Sequence, residues 1–326
     1  MNKNFWRDKI VLITGFEGFL GSNLTQKLLK SGAKIIGLDI KTFRKETILS
    51  PHAYKHISVY KGSVANYSFV RKILRKHSVN VIFHLAAEAI VGHSYNNPRR
   101  SFETNIAGTW EVLEAARKQG GMEAIIVASS DKAYGSHKKL PYTELTPLQG
   151  RNPYDASKSC ADLIAHSYAH AYNLPVAITR CGNIYGPGDF NFSRIVPDTI
   201  RCAITGKTLL IRSDGKFTRD YVYVDDIVNG YILLAEKLKK LKLSGEAFNF
   251  SDENPLTVIA LIKQICSTLK TKSDYKIMNQ AKYEIKHQYL FSSKARKMLS
   301  YKPKVYFDEG IKKCSVWYKK YILNLL

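Results

Sequence analysis

Cysteine is scarce and scattered in this 326-residue chain: Cys160, Cys181, Cys202, Cys266 and Cys314 lie far apart, and no Cys-x-x-Cys occurs. That spacing argues against a disulfide framework and against a zinc site, so reduced thiols and no bound metal are expected. Long apolar runs are missing too; none approaches the roughly 18 residues that a membrane-spanning helix needs. The opening stretch, Met1 to Lys9, is polar and charged and leads directly into a strand-like segment, without the pattern of a signal peptide. A cytoplasmic protein with no membrane partner is the expectation. Low-complexity linkers and internal repeats are absent, and 45% hydrophobic residues suffice for a sizeable core.

Acidic residues are also few, 27 against 50 lysines and arginines, for a formal charge of +23. One reading is a nucleic-acid partner; the other is an anionic small substrate on a lysine-rich surface. The basic residues favour the second. They are spread over Lys41 to Lys45, Arg71 to Lys76, Lys237 to Lys242 and Lys312 to Lys320, several at helical spacing between apolar positions, as on solvated faces. No nucleic-acid partner is expected.

What is present is an alternation. Val11–Thr14, Lys34–Leu38, Val81–Leu85, Ala124–Ala128 and Val176–Thr179 read as buried strands. Ser22–Ser31, Ser68–His77, Thr104–Gln119 and Asp155–Tyr172 read as helices between them. Such alternation implies an α/β fold with a doubly wound parallel sheet, the Rossmann arrangement. Residues 1–182 would form that domain, with a return segment at about 219–236, and 183–326 mainly a smaller substrate-binding region.

Between the first strand and its helix stands Gly15-Phe16-Glu17-Gly18-Phe19-Leu20-Gly21. Gly15 permits a tight turn, Gly18 a close backbone approach to a pyrophosphate, and Gly21 close packing of helix on strand. The helix N-terminus adds free N–H groups and a positive dipole end. Asp39 closes the second strand 18 residues after Gly21, where a carboxylate holds the ribose hydroxyls of NAD and repels the 2′-phosphate of NADP. NAD is therefore the expected cofactor, although Lys41 and Arg44 stand nearby.

Tyr154 and Lys158 are one helical turn apart on one face. The ammonium is expected to lower the phenol pKa, so that the pair removes a hydroxyl proton while the cofactor takes the hydrogen of the same carbon. Ser129-Ser130-Asp131-Lys132-Ala133-Tyr134-Gly135 follows the fifth strand, at the sheet edge where ligands bind. Ser130 can share that hydroxyl. Asp131 and Lys132 add an acid and a base, which a simple oxidoreduction does not need and an elimination does.

Together these segments resemble the extended short-chain dehydrogenase/reductase family over nearly the whole chain. The motifs are Thr14–Gly21, His84–Ala87, Thr104–Thr109, Ser129-Ser130, Tyr154-x-x-x-Lys158, Arg180–Pro187, Arg219–Asp226 and the Gly310–Trp317 helix. Within it, Ser130-Asp131-Lys132 is similar to the nucleotide-sugar 4,6-dehydratases, above all those acting on CDP-glucose. So are Phe5-Trp6-x-x-Lys9-x-Val11 and Arg194-Ile-Val-Pro-Asp198. Phe16, Glu17 and Leu20 depart from the CDP-glucose pattern of His-Thr and Lys, and Ser63 stands where many relatives carry Asp.

The resemblance implies Ser130, Tyr154 and Lys158 as the oxidation triad, Asp131 as acid for the C6 hydroxyl and Lys132 as the C5 base; Tyr134 or a water is the alternative base. It implies Ser63, Val64, Leu85, Ala86, Ala87 and Asn105 at the cofactor beside the glycine loop, and Ser94, Asn183, Arg194, Val196 and Arg219 at a nucleotide-diphosphate sugar. It also implies a homodimer through the helices 104–119 and 155–172, whose Trp110, Val112, Leu113, Leu163, Ile164 and Tyr168 exceed one core-facing stripe. A 4-epimerase, needing only Ser130, Tyr154, Lys158 and NAD, is the nearest rival, beside a dehydratase acting on a UDP-sugar such as UDP-GlcNAc. A non-catalytic dinucleotide-binding protein is the rival of another class.

Overall fold

The structure, a computed structural model, describes residues 2–272, 274–281 and 284–323. The first half lays down β1 (Ile10–Thr14), β2 (Lys34–Asp39), β3 (Ile57–Lys61), β4 (Val81–His84), β5 (Ala124–Ala128) and β6 (Val176–Cys181). The second adds β7 (Asn183–Tyr185), β8 (Leu209–Ile211), β9 (Thr218–Tyr223), β10 (Ala247–Phe250), β11 (Pro255–Thr257) and β12 (Tyr275–Ile277). Seven of these form one parallel sheet in the order β10-β6-β5-β4-β1-β2-β3. The order reverses between β1 and β4, which opens a crevice at the carboxyl ends of those strands.

Burial on both faces explains the apolar runs. Successive residues of β1 go to opposite sides: Val11 and Ile13 join Phe83, Ile126, Ile227 and Tyr231 in one core, while Leu12 joins Ile36, Ile82, Val112 and Leu113 in the other. The helices Phe19–Leu29, Tyr67–His77, Gly108–Gln119 and Pro153–Tyr172 occupy the crossovers. Asn66 caps the second through Oδ1, which accepts the N–H of Phe69 at 3.0 Å.

Three features differ from the sequence pattern. β3 was not apparent because only its first residue is buried, so this edge strand lacks the apolar run of the others. The helix expected over 104–119 is instead a wide π turn at Glu103–Ala107 followed by the α-helix Gly108–Gln119. And the chain comes back to the main sheet later than the 219–236 segment. β9 pairs with β7 and β11 in a separate three-stranded sheet, whereas β10 pairs with β6. The helix Val224–Lys237 does pack on β5 and on Phe19–Leu29.

The second lobe surrounds β7–β9. Its core joins Tyr185, Val196, Ile200, Tyr221, Leu261 and Ile311. One buried ion pair ties the lobes' shared scaffold together: Arg180 on β6 meets both carboxylate oxygens of Asp162 at 2.8 Å and donates to the Tyr134 hydroxyl at 2.9 Å. This fixes the helix Pro153–Tyr172 against the strand and against the turn after β5. No described helix is long and apolar enough to cross a membrane.

Candidate active site

The glycine loop is shaped by close backbone approach. Gly15 has φ +70° and donates its N–H to the Leu38 carbonyl at 2.7 Å. A Cβ on Gly21 would lie 2.1 Å from the Gly15 carbonyl oxygen, so no side chain fits where the helix starts. The side chains between them turn inward. Phe16 is buried in the core, and Glu17 is fully buried with its carboxylate accepting the N–H groups of Phe43 and Arg44, each at 2.7 Å. Phe19 and Leu20 pack half-buried against the same core. Only the backbone of this loop is therefore offered to a pyrophosphate. That cradle, with the buried carboxylate of Asp39 at the tip of β2, fits a dinucleotide. Asp39 is held at 2.6 Å by Arg44, the basic neighbour that clouded the choice between NAD and NADP.

A buried hydrogen-bond chain aligns the strand tips. Thr14 Oγ1 accepts the N–H groups of Leu85 and Ala86, both at 3.1 Å, so its own proton goes to His84 Nδ1 at 2.9 Å. His84 therefore carries its proton on Nε2 and donates to Thr109 Oγ1 at 3.2 Å, and Thr109 donates to the Asn105 carbonyl at 2.6 Å. Asn105 sits in the π turn with its amide committed to Ser157 Oγ at 2.8 Å and to the backbone of Glu88. It braces the Tyr154 helix. Val64 is buried against Gly108, Ser63 Oγ accepts the N–H of Ala65, and Ala87 lies half-buried past the tip of β4.

Tyr154 and Lys158 stand in the first turns of their helix, both buried. Lys158 Nζ donates to the Ala128 carbonyl at 2.8 Å, and burial brings its pKa down to about 8. The expected lowering of the phenol pKa does not occur in the protein alone. Burial pushes Tyr154 up to about 12; its hydrogen bond with Ser130 opposes this, and the Lys158 amine is turned to the Ala128 carbonyl.

Ser130, Asp131 and Lys132 begin the 3₁₀ turn after β5. Asp131 is buried, and its carboxylate accepts Ser130 Oγ at 2.9 Å. Burial and the nearby Arg219 guanidinium push the Lys132 amine below the usual lysine range. Arg219, rather than Lys158, is thus the cation that helps discharge it. Tyr134 is buried the other way, its hydroxyl donating to Asn249 Oδ1 at 2.7 Å, which removes it from competition for a substrate proton.

Arg194 and Arg219 line a cleft of about 340 Å³ in the second lobe. Arg219 is clamped by the carbonyls of Thr218 at 2.8 Å and Lys286 at 3.0 Å and by Ile285, while Arg194 is held by Asp189 at 3.2 Å. Asn183 Nδ2 donates to the Asp220 carbonyl at 3.4 Å. The Ser94 hydroxyl is buried with no hydrogen-bond partner among the described residues. Val196, by contrast, is buried in the apolar core of the lobe.

Residues 12–314 match the family model described as GDP-mannose 4,6 dehydratase. The chain belongs to this family. Among curated relatives, the CDP-glucose 4,6-dehydratase of Salmonella typhimurium is 29% identical, over 99% of this chain and 94% of that protein. The crystal structure of dTDP-glucose 4,6-dehydratase from Bacillus anthracis in complex with NAD superposes with a TM-score of 0.85 at 29% identity, covering 96% of this chain and 97% of that one. That of UDP-glucose 4-epimerase with UDP-glucose from Thermotoga maritima gives 0.86 at 28%, covering 96% and 99%. Dehydratases and epimerases thus share this overall shape, and the side chains must distinguish them.

Two further residues of this dehydratase-family site were given no role by the motifs: Asp220, which stands inside Arg219–Asp226, and Gln288, which stands in none. Asp220, beside Arg219, is wholly buried; burial raises its carboxyl to about 7, and it is bonded to Ser251. Gln288 is fully buried between Asp131 and Lys132. Gln288 lies in no recognisable local pattern, whereas Asp220 follows Arg219 within its motif.

His84 yields a pH prediction. Burial, with the Lys158 charge second, pushes its imidazole from 6.5 to about 3. The unfolded chain therefore takes up this proton first as pH falls. The stabilisation is complete above about pH 6.5 and drains away toward pH 3, at about 1.4 kcal/mol per unit. Urea midpoints at pH 7 and pH 5 should differ more for the wild type than for His84→Gln, by about 2 kcal/mol. Equal pH dependence in the two proteins would contradict a buried neutral imidazole.

Proposed function

We propose that this protein is an NAD-dependent nucleotide-sugar 4,6-dehydratase acting on a CDP-glucose-like substrate. The observation that carries this reading is the buried Asp131–Lys132 step beside Ser130 and Tyr154. Epimerisation at C4 needs a hydroxyl-binding serine, a tyrosine and a lysine, but no second acid and base. The CDP preference is supported by the Ser130-Asp131-Lys132 sequence.

Arg219 and Arg194 grip the diphosphate, Arg219 with a fork already fixed by backbone carbonyls. Asn183 stands on the strand next to Arg219. Ser130 holds the C4 hydroxyl and Tyr154 takes its proton. NAD, which the glycine-loop backbone and Asp39 would hold, would supply the hydride chemistry between C4 and C6 with no net redox, and its positive ring would favour the phenolate of Tyr154. The new ketone acidifies C5. Lys132, whose amine burial and Arg219 make easier to deprotonate, removes the C5 proton while Asp131 protonates the C6 hydroxyl, which leaves as water. Lys132 then gives its proton back to C5.

The proton budget closes without an outside donor. Asp131 is left ionised, and Tyr154 still holds the proton from the C4 hydroxyl. Ser130, hydrogen-bonded to both Tyr154 and Asp131, provides the path by which that proton returns to the carboxylate.

We infer a homodimer through the helices Gly108–Gln119 and Pro153–Tyr172. Val112 and Leu113 are buried within the chain, but Trp110 and Leu163 are 41% and 59% exposed on adjacent helices. Sedimentation of the purified chain should give a dimer and that of Leu163→Lys a monomer; identical behaviour of the two contradicts this face as the interface.

Incubation of the purified protein with CDP-, UDP-, dTDP- and GDP-hexoses, read by mass spectrometry, tests the reaction. Loss of one water from CDP-glucose is expected, whereas an isomer of unchanged mass identifies an epimerase. Asp131→Asn should lower the dehydration rate by about 100-fold or more, the scale of a general acid. Full activity in that variant overturns the acid role.

A further inference from the structure

Gln288 comes from the far end of the chain, yet it is fully buried between the two side chains of the elimination step. Its Nε2 donates to Asp131 Oδ2, and its Oε1 accepts Lys132 Nζ at 3.4 Å. Its backbone N–H donates to the Thr218 carbonyl at 3.1 Å, and Thr218 N–H in turn donates to Lys286 at 2.9 Å. The same short segment supplies the carbonyls of Ile285 and Lys286 that clamp Arg219. One stretch of backbone therefore places both the Arg219 fork and the amide between acid and base.

Resting on the dehydratase reading, we propose that Gln288 is a positioning residue for the elimination, its carboxamide bridging Asp131 and Lys132 in both of their protonation states. Before water is lost, Asp131 is a carboxylic acid and Lys132 a free amine. An amide whose oxygen faces Asp131 accepts the acid proton, and its N–H donates to the amine lone pair. In the elimination the C5–H and C6–O bonds break and the C5–C6 double bond forms. The C5 proton goes to Lys132, and the Asp131 proton leaves with the hydroxyl as water. Asp131 is then a carboxylate and Lys132 an ammonium. An amide with N–H toward Asp131 and oxygen toward Lys132 satisfies that pair, and this is the arrangement in the structure. The two ends of a carboxamide are nearly equal in size, so a half-turn of the last side-chain bond exchanges them without repacking. A carboxylate or a hydrocarbon at this position satisfies at most one of the two states, leaving a buried polar group unpaired in the other.

The test compares wild type with Gln288→Leu and Gln288→Glu on the nucleotide hexose that the wild type dehydrates. Gln288→Leu should lower kcat by about 100-fold, the scale of lost acid–base positioning. KM should hold within a few-fold, because Arg219 remains clamped by backbone. Gln288→Glu puts a negative charge beside Lys132 and should move the acid-side limb of the kcat–pH profile up by about one unit, since the amine must be neutral to act. A limb left in place would show that position 288 does not act on the Lys132 amine. Wild-type kcat in a folded Gln288→Leu overturns the proposal while leaving the dehydratase reading intact. If Gln288→Leu does not fold, an unshifted pH limb in Gln288→Glu overturns it. A wild type that yields only an epimer removes the dehydratase reading and the proposal with it.

Discussion

A parallel sheet ends its strands in a row of backbone groups that no further ladder satisfies, and in this protein the chemistry is built where that row is closed by buried side chains. The run from Leu85 and Ala86 through Thr14, His84 and Thr109 to Asn105 is the central case. The two backbone N–H groups at its start both point at Thr14 Oγ1, and the direction of the side-chain bonds beyond follows from that. The tips of β1 and β4 are thereby locked to the π turn, and through Ser157 to the helix that carries Tyr154 and Lys158. Loosening any link would shift the phenol relative to the glycine loop.

Burial then sets the protonation states. It lowers the pKa of both lysine amines and raises that of the phenol, so that all three are pushed toward their uncharged forms. The protein alone thus eases loss of the Lys132 proton and holds Tyr154 as an un-ionised phenol. Such a division suits a reaction that must begin with cofactor in place and that regenerates it in each cycle. Arg219 links the two lobes electrostatically, since the guanidinium in the substrate cleft also acts on Lys132.

Much of this was legible where the signal is local. The apolar runs of β1, β2, β4, β5 and β6, the glycine spacing, and the one-turn separation of Tyr154 and Lys158 are short-range facts. Ser130 to Lys132 could be placed at the sheet edge because a strand directly precedes them. What could not be read depends on contacts distant in sequence. β10 reaches the sheet edge about 70 residues after β6, its parallel neighbour. Glu17 looked like part of a phosphate loop, but its carboxylate is bound by the backbone of residues 43 and 44. The field on Tyr154 was misjudged because helical spacing fixes which face Lys158 occupies and not that its amine turns to Ala128. Gln288 carries no local pattern; only the pairing of its segment with Thr218 brings it between Asp131 and Lys132.

The central claim is that one crevice both removes hydrogen from C4 and delivers it to C6 while acid and base expel water between them. The most direct measurement follows the label in CDP-glucose carrying deuterium at C4. The account predicts a 4-keto-6-deoxy product one water lighter that has kept the deuterium, now located at C6. A product with the deuterium still at C4, or lost to solvent, contradicts it.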